Sequence, residues 1–440
     1  MKFLEKLEGS ENYTATVVRL PPKQKVEGLD RLMKVTVFGN DVLVGKDSDE
    51  NCLYLFFPAE CVLSEDYLSR NNEYRHSEKN IDRSKTGFFE DSGRVKAIKF
   101  KGVISTGYLA PITSLPAEVH TVDGLVTKLH AGDEFNVING YALCKKYKPA
   151  RMQASGNAES RFNKKLRRFD KLVANQFRFH VSTPPLAKCM NQIHPEDRLV
   201  ITHKWHGTSA VFSNVLIKKE LSWRGKLAQF LGIDVVTTAY DNLYSSRSVI
   251  KNQYINKEAT AGYYNEDIWG IVNNEIKDKI EQGISLYGEI VGYLTTGKHI
   301  QHGYDYGCGE NQHKFVVYRV TYTKPDGTVI EYNWDQLRAY CAKYQLETVK
   351  EIPFVGADKL AKDEHWHENL LAQLQMTYLE EDCPFCHNKV PAEGIVLRVD
   401  NRDTFTAFKL KSKRFLERET KQIDAGTVDI EEEQSVSEVA

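Results

Sequence analysis

The stretch Lys204-Trp205-His206-Gly207-Thr208-Ser209 carries the most pointed chemistry in the chain. It follows the apolar-rich residues 199–202, so Lys204 stands at the end of an expected strand, and Gly207 three residues on lets the backbone turn tightly. That arrangement presents one amine to a bound ligand. A lysine amine becomes a covalent nucleophile when it is partly deprotonated or electrostatically activated. Taken alone, Lys-x-x-Gly reads as a solvent-exposed lysine before a turn, and its company changes that reading.

Tyr287-Gly288-Glu289-Ile290-Val291-Gly292 lies on a second apolar segment and Glu393-Gly394-Ile395-Val396-Leu397-Arg398 on a third. Phe408-Lys409-Leu410-Lys411 places two cations two residues apart, hence on one face of a strand. One nucleophilic lysine, two carboxylates able to hold a divalent cation and a lysine pair able to neutralise a polyphosphate form a coherent set. The reaction they suggest is transfer of a nucleotidyl group. Each glutamate by itself reads as a strand-end or salt-bridge residue; the joint pattern argues otherwise.

With these segments in this order, the chain resembles the ATP-dependent RNA ligases of the covalent nucleotidyltransferase superfamily. The resemblance runs from Phe177 to Lys411, opening on Phe177-Arg178-Phe179-His180 and Thr183-Pro184, with His-Gly-Thr-Ser beside the lysine. It implies that Lys204 attacks the α-phosphate of ATP and releases pyrophosphate. AMP then passes to a 5′-phosphate on RNA, and a 3′-hydroxyl attacks and expels it. Lys409 and Lys411 are implied to offset charge on the α-phosphate, and Arg247, in Tyr244-Ser245-Ser246-Arg247, to position the reactive RNA end. The nucleotide site implied comprises Lys204, Gly207, Glu289, Phe315, Glu393, Lys409 and Lys411, with Phe315 or Val317 facing the purine.

Glu393, with Glu289, is the implied ligand of Mg2+ or Mn2+, because magnesium suits carboxylates and retained waters; Glu289 alternatively holds the ribose. Two departures stand out: family members often have aspartate where this chain has His206 and glutamate where it has His203. A histidine at either place changes charge near neutrality.

The elements that must position these residues give an α+β expectation. An N-terminal OB-like β-barrel would precede a mixed α/β nucleotidyltransferase domain of ATP-grasp-like ligase type. The barrel is what the resemblance implies, from a subgroup of these ligases with such a module before the catalytic domain. The residues themselves show short strands from Tyr13 onward and no long amphipathic helix. The expected boundaries are 1–149 for an OB-like RNA-binding domain, 150–176 for a basic linker and helix, 177–420 for the catalytic domain and 421–440 for an acidic flexible tail. Residues 64–91 read as an exposed excursion. Arg94, Lys96, Lys99 and Lys101, set near Phe100 and Tyr108, read either as outward charges on a solvated strand or as an RNA-backbone contact. Phe162, Leu166, Phe169 and Val173 recur at helical spacing, with arginines and lysines on the other side. Helices are also expected at 263–280, 334–344, 359–378 and 412–424, and a strand at 314–320.

The 440 residues suffice for two or three domains, and a net charge of −1 excludes wholesale attraction to nucleic acid while leaving room for local basic surfaces. No run is long enough for a membrane span, and the first residues lack a secretory core, so a cytoplasmic monomer without membrane partners is the expectation. Of eight cysteines only Cys383-Pro384-Phe385-Cys386-His387 is patterned. A structural zinc at Cys383/Cys386 is less favoured than a plain turn, because two further ligands are needed and His365, His367 and Cys341 are unpatterned. The expected partner is RNA, as a nicked duplex with 3′-hydroxyl and 5′-phosphate ends, prepared by separate end-healing enzymes. The alternatives are a noncatalytic RNA-binding protein, or a DNA ligase or capping-type nucleotidyltransferase. The last two are disfavoured because little chain follows Lys411 to form a C-terminal OB domain.

Overall fold

The computed structural model describes residues 2–122, 125–126, 129–148, 171–247, 250–251, 264, 266–354 and 364–426. The expected basic helix, except for its last residues, and the acidic tail from 427 lie outside them. The chain divides into two compact units. One comprises Met1–Pro149, Leu371–Glu380 and Lys411–Thr427; the other comprises Ala150–Leu370, Glu381–Leu410 and Val428–Ala440.

The first unit is built on an antiparallel sheet in the order Gly107–Pro111, Leu53–Pro58, Ala15–Arg19, Glu134–Phe135. Successive side chains of a strand point to opposite faces. Val17, Leu55 and Phe57 accordingly join a cluster with Tyr67, Leu68, Tyr74 and Phe89. Val18, Tyr54 and Phe56 enter a second cluster with Val35, Val37, Val42 and Val44 from the hairpin Leu32–Val37/Asn40–Gly45.

This arrangement corrects the barrel expectation. A barrel encloses one interior, whereas this sheet has a core on each face, and among the described residues no sheet closes on itself. The run Leu53-Tyr54-Leu55-Phe56-Phe57 is continuously apolar because both faces are covered. The unit is a set of small antiparallel sheets with helices packed on them.

Two further expectations change here. Residues 64–91 are not an open excursion: Ser64 caps the helix Glu65–Arg70, and Tyr67, Tyr74 and Phe89 are buried. The Asn80 side chain satisfies both the N–H and the carbonyl of Tyr74. Arg94 and Lys96 do not offer a free basic face. Arg94 is buried, with its guanidinium 3.4 Å from Glu60 and 3.1 Å from Asp424, and Lys96 pairs with Glu90 at 2.6 Å and Asp424 at 3.0 Å.

The second unit carries a seven-stranded sheet. Its main order is Ile250–Lys251, Thr238–Ser245, Thr208–Lys218, Ile284–Gly292, His313–Thr323, Val329–Glu331, with Glu347–Thr348 added in parallel to His313–Thr323. A three-stranded sheet runs Leu199–His203, Gly394–Val399, Thr406–Lys411. Apart from the one short parallel pair, the pairings of the seven-stranded sheet are antiparallel, in keeping with the α+β class expected. The helices Ile268–Ile276, Trp334–Lys343 and Trp366–Tyr378 fall within the expected stretches. Asn333 and Gln336 form a reciprocal capping box at the start of the second, which fixes where it begins. Among the described residues no helix is long and apolar enough to cross a membrane.

Candidate active site

Strand register brings the distant motifs together. Leu199–His203 pairs antiparallel with Gly394–Val399, His203 opposite Ile395, and the Lys204 N–H continues the ladder by donating to the Gly394 carbonyl at 2.9 Å. Lys204 therefore lies beside Glu393, and its Nζ stands 2.7 Å from Glu393 Oε1. The carboxylate is buried and the amine half-buried, so the ion pair has little water to screen it. His206 Nδ1 is 3.9 Å from the other Glu393 oxygen. The histidine that replaces the family's aspartate is thus turned to the same carboxylate.

Gly207 is required by close approach. A Cβ there would lie 2.5 Å from the Ile290 carbonyl oxygen and 3.0 Å from Glu289 Cβ, so only glycine lets the chain pass the strand Ile284–Gly292. The next residues pair with that strand, Ser209 opposite Glu289. A bulge between Tyr287 and Gly288 shifts the register against His313–Thr323.

Lys204 opens into a cavity of about 860 Å3, counting the space at its mouth. His180, Thr202, His203, Trp205, Arg247, Glu289, Tyr318, Arg398 and Lys409 contribute polar or aromatic lining, and Val349, Val396, Phe405 and Ala407 an apolar wall. Phe405 is fixed from behind by two guanidinium groups, Arg319 at 4.5 Å and Arg398 at 5.5 Å from its ring. Those cations are themselves held: Arg319 by two-pronged bonds to Glu331 at 2.9–3.0 Å, Arg398 by Asp400 at 3.0 Å. Burial lowers the His203 pKa, against an opposing pull from Glu381.

Of the residues singled out in the sequence, Lys204, Arg247, Glu289 and Lys409 line this cavity, and Glu393 touches the amine. Gly207 shapes the turn. Two differ from expectation. Phe315 is not part of the lining; it is buried, edge-on to Phe212 with ring centroids 4.7 Å apart, and packs over Gly288. Lys411 shares a strand face with Lys409, yet its amine pairs with Glu419 at 3.2 Å and lies 5.1 Å from the Phe415 ring.

Tyr318, His180 and Phe405 were not found from the sequence. Tyr318 lies three residues after Phe315 on the same strand, so alternation puts the two on opposite faces, and it is the residue skipped where the register against Ile284–Gly292 shifts. Its hydroxyl is 2.5 Å from His180 Nδ1. Burial, with the nearby Glu289 charge, pushes its pKa well up, so it is a neutral hydrogen-bonding group. His180 belonged to the quoted Phe-Arg-Phe-His run, the one signal available beforehand.

The Cys383 and Cys386 thiols are free. Among the described residues no three His, Cys, Asp or Glu side chains gather as a metal cluster, so nothing supports a zinc there.

The RNA ligase family profile matches residues 197–413, which hold the strands, the lysine and both glutamates. No curated protein matches the sequence. Among solved structures, the chain is similar to the Naegleria gruberi RNA ligase. An apo mutant of that protein aligns over 94% of this chain and 99% of its own, at 14% identity and a TM-score of 0.54. Its complex with pyrophosphate aligns over 92% and 98%, at 14% identity and 0.53, and a mutant with ATP and Mn over 92% and 98%, at 13% and 0.53. At such identity the likeness bears on the fold, while the family profile covers the stretch where Lys204 meets Glu393. Residues 197–413 of the chain belong to the RNA ligase family.

Proposed function

We propose that the protein joins 3′-hydroxyl and 5′-phosphate RNA ends with ATP, through a Lys204–AMP intermediate and an AMP-capped 5′ end. The observation that carries this reading is the Lys204 amine, held 2.7 Å from Glu393 at the mouth of a cavity lined by Arg247, Lys409 and Glu289. Forming a phosphoramidate on Lys204 divides one difficult displacement into easier ones. Lys204 attacks the α-phosphate, and the Glu393 carboxylate orients the amine. Lys409 faces the cavity from its strand and offsets negative charge that builds on the phosphate. The wall of Val349, Val396, Phe405 and Ala407 gives a base an apolar seat, and the neutral Tyr318 hydroxyl supplies a directional contact at its edge.

The residues present fit a hydrated divalent cation. Glu393 is buried, Glu289 lines the same cavity, and with no three-ligand cage among the described residues the remaining ligands would be waters and substrate phosphates, as Mg2+ or Mn2+ accepts. Such an ion, held by these carboxylates, would polarise the α-phosphate. Arg247 positions the RNA end. The natural substrate in this reading is a nicked duplex in the cytoplasm, sealed by a monomer after other enzymes have prepared the termini. Residues 1–149 bind the flanking RNA and 177–420 perform the chemistry.

Intact mass after incubation with ATP and magnesium tests the reading, beside Lys204→Ala and followed by a chase with nicks carrying RNA or DNA on each side. The expected result is an AMP-sized gain absent from the variant and discharged by an RNA nick. A folded wild type that takes no adduct with either metal leaves the noncatalytic RNA-binding alternative.

A further inference from the structure

Trp205, next to the nucleophile, is buried beneath two other rings. Tyr306 stacks on it with centroids 4.6 Å apart and planes 13° from parallel, and Phe385 stacks at 4.9 Å and 20°. Phe385 also meets His203 edge-on, at 5.0 Å and 89°. One side chain therefore touches both residues that flank Lys204. Tyr306 adds a polar anchor, its hydroxyl accepting the His206 N–H at 2.5 Å.

The loop that presents Phe385 is firmly tied. Its ends close through the Cys383 N–H on the Val390 carbonyl at 2.7 Å and the Ala392 N–H on the Glu381 carbonyl at 3.0 Å, immediately before Glu393. Asp305 Oδ1 accepts both the His387 N–H at 3.1 Å and the Gly307 N–H at 2.8 Å, which joins this loop to the one carrying Tyr306. Asp305 is buried, and these N–H groups hold its pKa below the usual carboxylate value although burial opposes them. Both rings on Trp205 thus come from two loops fastened to each other.

We propose that Phe385 is a positioning residue for attack by Lys204, holding His203 and Trp205 so that the amine keeps its line toward the α-phosphate. The inference rests on the ligase reading of Lys204. Phe385 does not line the cavity, so it acts on the backbone that carries the amine rather than on the nucleotide. An aromatic contact holds direction as well as distance, since stacked and edge-on rings have preferred geometries. A leucine at 385 would fill much of the volume and supply neither contact geometry. Its effect belongs to the step in which Lys204 is the nucleophile. Sealing of a strand already carrying AMP on its 5′-phosphate does not use the amine as a nucleophile.

The test compares wild type, Phe385→Leu, Phe385→Met and Phe385→Tyr in two reactions. One is the single-turnover rate of the AMP mass gain across ATP concentrations; the other is sealing of a chemically pre-adenylylated RNA strand. For Phe385→Leu the expected outcome is a rate of adduct formation at saturating ATP lower by roughly 10–100-fold, with the half-saturating ATP concentration little changed. Phe385→Tyr restores the rate, Phe385→Met repeats the Phe385→Leu pattern, and pre-adenylylated strands are sealed at the wild-type rate by all. An equal fall in both reactions would mark general destabilisation and overturn the proposal. So would wild-type labelling by Phe385→Leu; should that variant not fold, wild-type labelling or an unselective loss in Phe385→Met decides the matter in the same sense. A wild type that takes no label at all defeats the ligase reading itself, a result distinct from each of these.

Discussion

At the residue scale, close approach and charge decide what each position tolerates. Gly207→Ala would set a methyl carbon 2.5 Å from the Ile290 carbonyl, and backbone cannot swing aside as a flexible side chain can. The strand bearing Glu289 must shift, so urea denaturation should show a loss of about 1–3 kcal/mol. Adduct formation should slow in the same variant. Lys409 and Lys411 are expected to separate: Lys409 lines the cavity, while Lys411 is engaged by Glu419 and Phe415. Lys409→Ala should lower the rate of AMP transfer to Lys204 by about 100-fold, and Lys411→Ala by less, in the same mass assay. An equal loss would return Lys411 to the α-phosphate.

Elements show the same interplay of burial and charge away from the chemistry. The helix Lys413–Asp424, capped by Ser412, donates the Thr420 hydroxyl to Glu60 at 2.9 Å, and Arg94 reaches the Thr420 carbonyl at 3.2 Å. Burial raises the Glu60 pKa from 4.5 to about 7, despite the opposing Arg94 charge and Thr420 hydrogen bond; Glu419 adds to the rise and Lys411 opposes it. Because the folded value lies above the unfolded one, the stability linked to the proton is full below about pH 4.5 and is lost as pH rises through about 7. The shift corresponds to about 3 kcal/mol at most. Chemical denaturation of wild type and Glu60→Gln between pH 4.5 and 8 should show a slope in the first that is shallower in the second. His203 has the opposite sign: burial depresses its pKa, so its contribution is present above pH 6.5 and lost on acidification.

For the whole molecule, a net charge of −1 means that RNA is held by local patches rather than by overall attraction. Affinity for a nicked duplex should fall steeply between 50 and 200 mM salt, since each neutralised phosphate releases counterions; about six contacts would cost about a thousandfold. In the proposed reading AMP loads onto Lys204 inside a cavity, so the mass gain should change far less over that range. Filter binding and intact mass on the same samples would show the contrast. Parallel losses would mean that salt acts on the fold.

The candidate set was legible in the chain because each member carries a local signature: lysine before a turn glycine, glutamates on apolar strands, and lysines two apart at 409 and 411, of which the structure turns only Lys409 to the cavity. Strand and helix positions such as 314–320, 334–344 and 412–424 followed from residue pattern, which is also local. What faces what was not local. Alternation could not tell a strand covered on both faces from the wall of a barrel, because the partner that covers the second face, the hairpin at 32–45, is chosen by tertiary packing. Arg94 read as a solvated charge or an RNA contact because its partners Glu60 and Asp424 lie far off in sequence. Packing chose which strand face, that of Phe315 or that of Tyr318, turns to the core and which to the cavity, and a loop 181 residues after Lys204 delivered Phe385 to the nucleophile's side. Composition and spacing thus set which chemistry was available. Register and long-range packing decided which groups meet, because both depend on contacts between residues that no short window of sequence contains.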